Sequence, residues 1–252
     1  MKPLVTCLCC TYNRPVLLGE SIRCFIDQDY ENKRLIVLND QEGVRLTMND
    51  CPDNISILNS PVRFSSLGEK RNFLKSYEAG DFYCIWDDDD LYVPYRISES
   101  IDLMFRNPQY DIIKPKDSYI SIDNANYQIA TNRFHAQAII SREYMDSHVY
   151  PSISLGEDAA FEKSAKVGYI GMFPNFWSIF RMGMSTYHLS SVNYPAFEKQ
   201  AWENAAKSDL EGEIEIEPKF QKDYWAEMKN VLNRINGFAG NEFYDKIGRK
   251  NE

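Results

Sequence analysis

The chain has 252 residues, 44% of them hydrophobic and 26% charged, a balance with enough apolar surface to offset chain entropy, which excludes wholesale disorder. Its formal net charge of −9 disfavours nucleic acid as the main partner, because such binders present a basic face that releases counterions. No run approaches the roughly 20 apolar residues of a bilayer span, and the apolar run behind Lys2 and Pro3 is too short for a secretory signal, so a cytoplasmic location is expected.

Residues 4–10 form a continuous apolar or β-prone run, the pattern of a strand buried on both faces of a parallel sheet. Thr11-Tyr12-Asn13 ends it. Asn13 is placed as an N-cap and Pro15 in a first helical turn, after which Leu18, Ile22, Phe25 and Ile26 recur at helical spacing. A second apolar strand over 34–38 stops at Asn39-Asp40, and a third is predicted over 55–58. Ser66 opens a helix that runs to Tyr77, Gly80 stops it, and residues 82–86 form a fourth strand. This alternation implies a parallel sheet. Asp87-Asp88-Asp89-Asp90 follow at once. Pro94 then opens a helix with Ile97, Ile101, Met104 and Phe105 on one face, closed by Asn107-Pro108.

The second half changes character. Residues 118–122 and 127–130 flank Asp123-Asn124-Ala125-Asn126, which predicts a hairpin and antiparallel pairing. A strand over 137–141, a helix after Glu157-Asp158 and an aromatic run through Phe173, Phe176, Trp177 and Phe180 complete the globular part. Farther on, two amphipathic segments, 196–207 and 221–235, are separated by an acidic stretch from Glu211 to Glu217. The predicted organisation is a domain over 1–190, with a nucleotide-binding half 1–115 and an acceptor half 116–190, and a helical extension over 191–252. The six cysteines, several inside apolar runs and none in a Cys-x-x-Cys pair, are read as buried free thiols rather than zinc ligands.

Four like charges at a strand end are costly unless a cation or solvent compensates them. In extended backbone alternate side chains point the same way, so Asp87 with Asp89, or Asp88 with Asp90, would converge on one divalent ion. Magnesium and manganese favour such oxygen ligands, and a diphosphate beside the ion would supply the remaining oxygens. A solvated acidic turn is the competing interpretation. Ligands of open α/β sheets gather beyond the carboxyl ends of strands, and polar groups stand there three times: Thr11-Tyr12-Asn13, Asn39-Asp40 and the aspartates.

These residues resemble the family 2 glycosyltransferases, whose nucleotide-binding fold is called GT-A. The likeness is carried, in family order, by the opening Pro3-Leu-Val-Thr-Cys-Leu-Cys-Cys-Thr-Tyr-Asn-Arg14, Ser21-Ile22, Gln28-Asp29-Tyr30 and Leu35-Ile-Val-Leu-Asn-Asp40. It continues through Lys70-Arg71-Asn72, the stretch from Gly80 to Pro94, Gly156-Glu157-Asp158 and Phe180-Arg181, and so covers residues 1–190.

The resemblance implies an α/β fold with a mixed, mostly parallel central sheet flanked by helices, and an inverting transfer of sugar from a nucleotide-sugar to an acceptor hydroxyl. It places Thr11, Tyr12 and Asp40 on the nucleoside: the tyrosine ring stacks on the base, and a carboxylate accepts the imide hydrogen of uracil, which suits a UDP-sugar. Many relatives carry two acids where this chain has Asn39-Asp40; the second is retained. Arg71 is expected to face the donor, Asp88 the ribose, and Asp89 a Mn2+ or Mg2+ ion, with Asp87 opening the motif. Four consecutive acids leave that register open by one residue. Asp158 is implied as the catalytic base with Glu157 as its backup, although acids at a helix start also favour the helix dipole.

Arg181 and His188 fall in the segment that in relatives folds over the diphosphate, with an exposed arginine and a core histidine as the plainer alternatives. Region 118–150 is expected to line the acceptor pocket, where Tyr119, Tyr127, Phe134 and His135 either stack on a sugar or belong to the core. The acceptor stays open between a glycan, a protein side chain and a modified nucleobase, the last disfavoured by the acidic balance. The extension would build the acceptor site, a homodimer contact or a peripheral membrane patch. Two rivals remain: a nucleotide-binding module without transfer activity, and a metal-dependent nucleotidyltransferase, which would show a glycine-rich phosphate loop where this chain has Thr11-Tyr-Asn-Arg-Pro15.

Overall fold

The structure is a computed structural model and describes residues 2–122, 126–131, 134–170, 178–182 and 210–227. Its first half runs β1 (Val5–Thr11), α1 (Pro15–Ile26), β2 (Lys33–Asn39), β3 (Val44–Thr47), β4 (Ile55–Asn59), α2 (Leu67–Tyr77), β5 (Phe82–Ile85), β6 (Leu91–Tyr92) and α3 (Arg96–Arg106). Beyond these come β7 (Ile112–Pro115), β8 (Asp117–Ile122), β9 (Asn126–Thr131), β10 (Ile139–Ser141), α4 (Arg142–Ser147), α5 (Glu157–Glu162), β11 (Val167–Ile170), β12 (Ser178–Met182) and β13 (Gly212–Glu215).

Among the described residues the central sheet has seven strands in the order β11-β7-β10-β5-β1-β2-β4. All its pairings are parallel except those of β10, which runs against both neighbours. Strand residues alternate between faces, so one run of apolar residues feeds two cores. Val5, Cys7, Cys9, Leu35 and Val37 join Ile22 and Phe25 of α1 and Ile97 of α3 on one side. Leu8, Ile36, Leu38, Tyr83 and Ile85 meet Leu74 of α2, Met145 of α4 and Phe161 of α5 on the other. A smaller sheet, β6-β12-β8-β9, carries the predicted hairpin as the antiparallel pair β8 and β9. All six cysteines are free; Cys51 is exposed and Cys10 half-buried.

Two local expectations are corrected. Asn13 does not cap α1: it takes a left-handed conformation at φ 56, which asparagine tolerates better than most residues, and the helix starts from Arg14. The acidic stretch is not a spacer. Its Gly-Glu-Ile-Glu-Ile-Glu alternation has the period of a strand, and β13 pairs in parallel with β3 while Ile216 is buried and the glutamates stay exposed.

Residues 216–225 continue into the first core, where Ile216, Tyr224 and Trp225 are buried. Gly19 of α1 admits this segment, since a Cβ there would collide with the Glu217 carbonyl oxygen. Residues 224–227 form one helical turn, and segment 196–207 lies outside the described residues. Among the described residues no helix is long and apolar enough to cross a membrane.

Candidate active site

β1, β2 and β5 end side by side, which brings Thr11, Asp40 and the aspartates to one edge of the sheet. Asp88 and Asp89 lie in a turn rather than in extended backbone, so the predicted alternation does not apply. What converges is the consecutive pair. Ser21 Oγ donates to the Asp87 carbonyl at 3.0 Å, and the Asp87 N–H donates to Tyr92 Oη at 2.6 Å, which fixes where the turn begins.

Asp88 is fully buried. Its Oδ2 accepts from Thr11 Oγ1 at 2.6 Å and from Arg14 Nε at 3.2 Å. Arg14 Nη2 stands 2.6 Å from Oδ1 in an ion pair, and Arg14 Nη1 donates to Asp89 Oδ2 at 2.5 Å. Burial pushes the Asp88 carboxyl up to about 6, with Arg14 opposing the rise. Arg14, the last residue of the opening motif, directly follows the left-handed Asn13 and is the counter-charge that no linear pattern assigns to the aspartates.

Asp90 faces away from this pair. It is fully buried, its Oδ1 accepts from the Arg181 N–H at 3.1 Å, and burial raises its carboxyl well above the usual range. Arg181 is buried rather than an exposed arginine: its Nε donates to the Asp89 carbonyl, and its Nη1 pairs with buried Glu20 at 2.5 Å. The other Glu20 oxygen accepts from the Gln221 N–H at 2.9 Å. The turn is thus braced from behind by α1, β12 and the C-terminal segment. His188 lies outside the described residues.

Asp40 is buried, with Oδ1 held by Lys70 Nζ and Oδ2 accepting from the Phe64 N–H at 3.1 Å. Lys70 also donates to the Thr11 carbonyl at 2.6 Å and so ties β1 to β2. Nothing in a linear pattern shows which strand end a lysine will reach. The Arg63 guanidinium covers the Tyr12 ring at 4.3 Å.

Arg71 links the two acidic groups. Its Nη2 lies 3.7 Å from Asp87 Oδ1 and its Nε 3.4 Å from Glu157 Oε1, with the Tyr150 ring 5.7 Å away. Glu157 is buried, and that burial lifts its carboxyl to about 7 against the pull of Arg71, with Asp158 adding to the rise. Asp158 is half-buried beside it, its Oδ1 accepting from the Ala159 N–H at 2.7 Å. Gly156, left-handed at φ 77, starts α5 and sets both acids at its first turn.

The far end of α5 is anchored too. Glu162 meets Lys114 Nζ at 2.6 Å and His135 Nδ1 at 2.5 Å, and His135 Nε2 is 2.8 Å from Tyr150 Oη. His135 and Tyr119 are therefore core residues, and Phe134 stacks on Phe180 at 4.0 Å. The Tyr127 side chain lies outside the described set.

No three His, Cys, Asp or Glu side chains among the described residues gather as a ready metal cage. The turn nevertheless offers carboxylate oxygens only, a hard donor set, and already draws a cation in the form of Arg14.

The profile described as glycosyl transferase family 2 matches residues 6–164. Over 126 residues the chain is 30% identical to an uncharacterized glycosyltransferase of Haemophilus influenzae, a match covering 48% of this chain and 38% of that protein. The chain thus matches well under half the length of that curated relative. Among solved structures, S. aureus TarS 1-349 in complex with UDP-GlcNAc superposes with a TM-score of 0.58 at 14% identity, covering 96% of this chain and 75% of that one. Mannosyltransferase PcManGT from Pyrobaculum calidifontis, in complex with GDP-Man and Mn2+, gives 0.54 at 12% identity, covering 98% and 79%. At such identities the likeness shows the fold alone.

Proposed function

Since this chain belongs to glycosyl transferase family 2, we propose that it moves a sugar from a nucleotide-sugar to an acceptor hydroxyl with inversion at the anomeric carbon. The observation that carries this proposal is the meeting, beyond the ends of β1, β2 and β5, of the Asp88 and Asp89 pair with Thr11, Asp40, Arg71 and the acids that open α5.

Thr11, Tyr12 and Asp40 hold the nucleoside, and Asp88 the ribose. Each Asp40 oxygen carries one donor and keeps a second lone pair, so its acceptor capacity suits the imide N–H of uracil. TarS has been captured with UDP and with UDP-GlcNAc, which supports a uridine donor here. The oxygen-only set at Asp89, opened by Asp87, suits Mn2+ or Mg2+, which when bound would lend positive charge to the leaving diphosphate. PcManGT was captured with Mn2+. Arg71 presents a permanent charge fixed by Asp87 and Glu157.

Asp158 takes the proton from the acceptor hydroxyl as that oxygen attacks the anomeric carbon. Glu157 sits deeper and holds Arg71, a position that suits orienting the donor side, with the base role as its reserve.

Donor hydrolysis and transfer assays across UDP- and GDP-sugars, paired with nucleotide binding by calorimetry, test this proposal. Asp158→Asn should keep UDP affinity within about twofold and cut transfer by about 100-fold or more. Full transfer by that variant would move the base role to Glu157, and a chain that binds no nucleotide with or without Mn2+ would end the proposal.

A further inference from the structure

We propose that Arg14 serves as the resident cation of the Asp88 and Asp89 pair, so that a divalent ion binds there only as the guanidinium gives up Asp89. This rests on the proposed function, which puts that ion on Asp89.

Arg14 is built for the position. It directly follows the left-handed Asn13 and stands at the N-cap of α1, between the end of β1 and the helix. One planar guanidinium then addresses both acids, with Nε and Nη2 on Asp88 and Nη1 on Asp89. The side chains involved are nearly sealed from water, Arg14 at 16% exposure, Asp88 at 1% and Asp89 at 8%. Charges at such separations interact strongly where solvent cannot screen them.

The other two arginines of the network have separate work, Arg181 with Glu20 and Arg71 with Glu157 and Asp87. Glu20, Asp87, Asp88 and Asp89 alone set four carboxylates against the three arginines of this linked set. A further cation is therefore favourable in sum and obstructed at Asp89 by the guanidinium already there. A divalent ion such as Mg2+ takes carboxylate oxygens at roughly 2.0–2.1 Å, so on either oxygen of Asp89 it would stand within a few ångströms of the guanidinium, and two cations that close repel strongly where water screens little.

Linkage follows from this competition. A nucleoside diphosphate offers the released guanidinium a new anionic partner, so nucleotide and metal should each tighten the other, as any coupling between two ligands must be reciprocal.

The test is titration of Mn2+, followed by the loss of the free-ion EPR signal, on the full chain with and without UDP. Wild type should bind Mn2+ weakly alone and at least tenfold more tightly with UDP. Arg14→Gln should bind Mn2+ alone about tenfold more tightly than wild type and gain less from UDP, within the usual range of coupling factors. Because that variant leaves buried Asp88 with Thr11 but without its charged partner, Arg14→Lys is measured beside it, with circular dichroism to establish the fold. Lysine keeps the charge but loses the fork, and should give a smaller gain in the same direction.

Mn2+ affinity no tighter than wild type in the folded variants overturns the inference. If wild type still takes Mn2+ together with UDP in that case, the proposed function stands without it. Absence of Mn2+ binding even with UDP removes both the inference and the metal-dependent part of the proposed function.

Discussion

Burial lifts the Glu157 carboxyl to about 7, with Arg71 pulling it down and Asp158 pushing it further up. A carboxyl whose folded value exceeds its unfolded one gives its full contribution to stability below the unfolded value of 4.5 and loses it as pH rises through about 7. Glu157→Gln should therefore flatten the decline in urea midpoint between about pH 5 and about pH 8. An unaltered decline would mean that this carboxyl ionises at its ordinary value. The linear pattern was a good guide to which residues stand at strand ends, and Thr11 with Asp88 is its clearest success, a hydrogen bond between the tips of neighbouring strands. It was a poor guide to counter-charges. Arg14, Lys70 and Glu20 act through partners tens of residues away or more, and Asp90 shares the chemistry of its neighbours yet turns inward to the Arg181 backbone.

Gly68, in the first turn of α2, shows how backbone proximity places an element. Its N–H donates to the Ile153 carbonyl at 3.1 Å, and a Cβ would run into the Pro151 carbonyl oxygen. The loop it touches leads directly into Glu157 and Asp158. Helix propensity alone predicts that Gly68→Ala stabilises by about 1 kcal/mol. The contact predicts the reverse, a loss of about 1–3 kcal/mol from forced separation of α2 and the loop. Thermal denaturation decides by the sign of the shift, and a rise would show that the loop yields freely. Long apolar runs such as those of β1 and β2 announced themselves, whereas β6, with two residues, is too short to show any period. β7 was masked by Lys114 and Pro115, the lysine being buried only because Glu162 neutralises it.

Among the described residues two cores form, one on each face of the main sheet, and segment 210–227 belongs to the one over α1. Trp225 sits there at 2% exposure beside Phe220 and Tyr224. Trp225→Ala should lower the unfolding free energy by about 3–5 kcal/mol, read from denaturant titration, and a loss under about 1 kcal/mol would mean that the segment only rests on the surface. The parallel pairing of β1, β2, β4 and β5 was foreseeable from the alternation of strands and helices over the first half. The return of the chain to β3 was not, because net charge concealed a two-residue period.

That return has a cost in time. β3 is flanked on one side by the Asn59 side chain, which bonds the Leu46 N–H at 2.8 Å and its carbonyl at 3.0 Å, while the ladder on its other side comes from β13. A nascent chain emerging from the ribosome therefore carries β3 with a bare backbone edge, open to pairing with another copy, until residues 212–215 follow it out some 165 residues later.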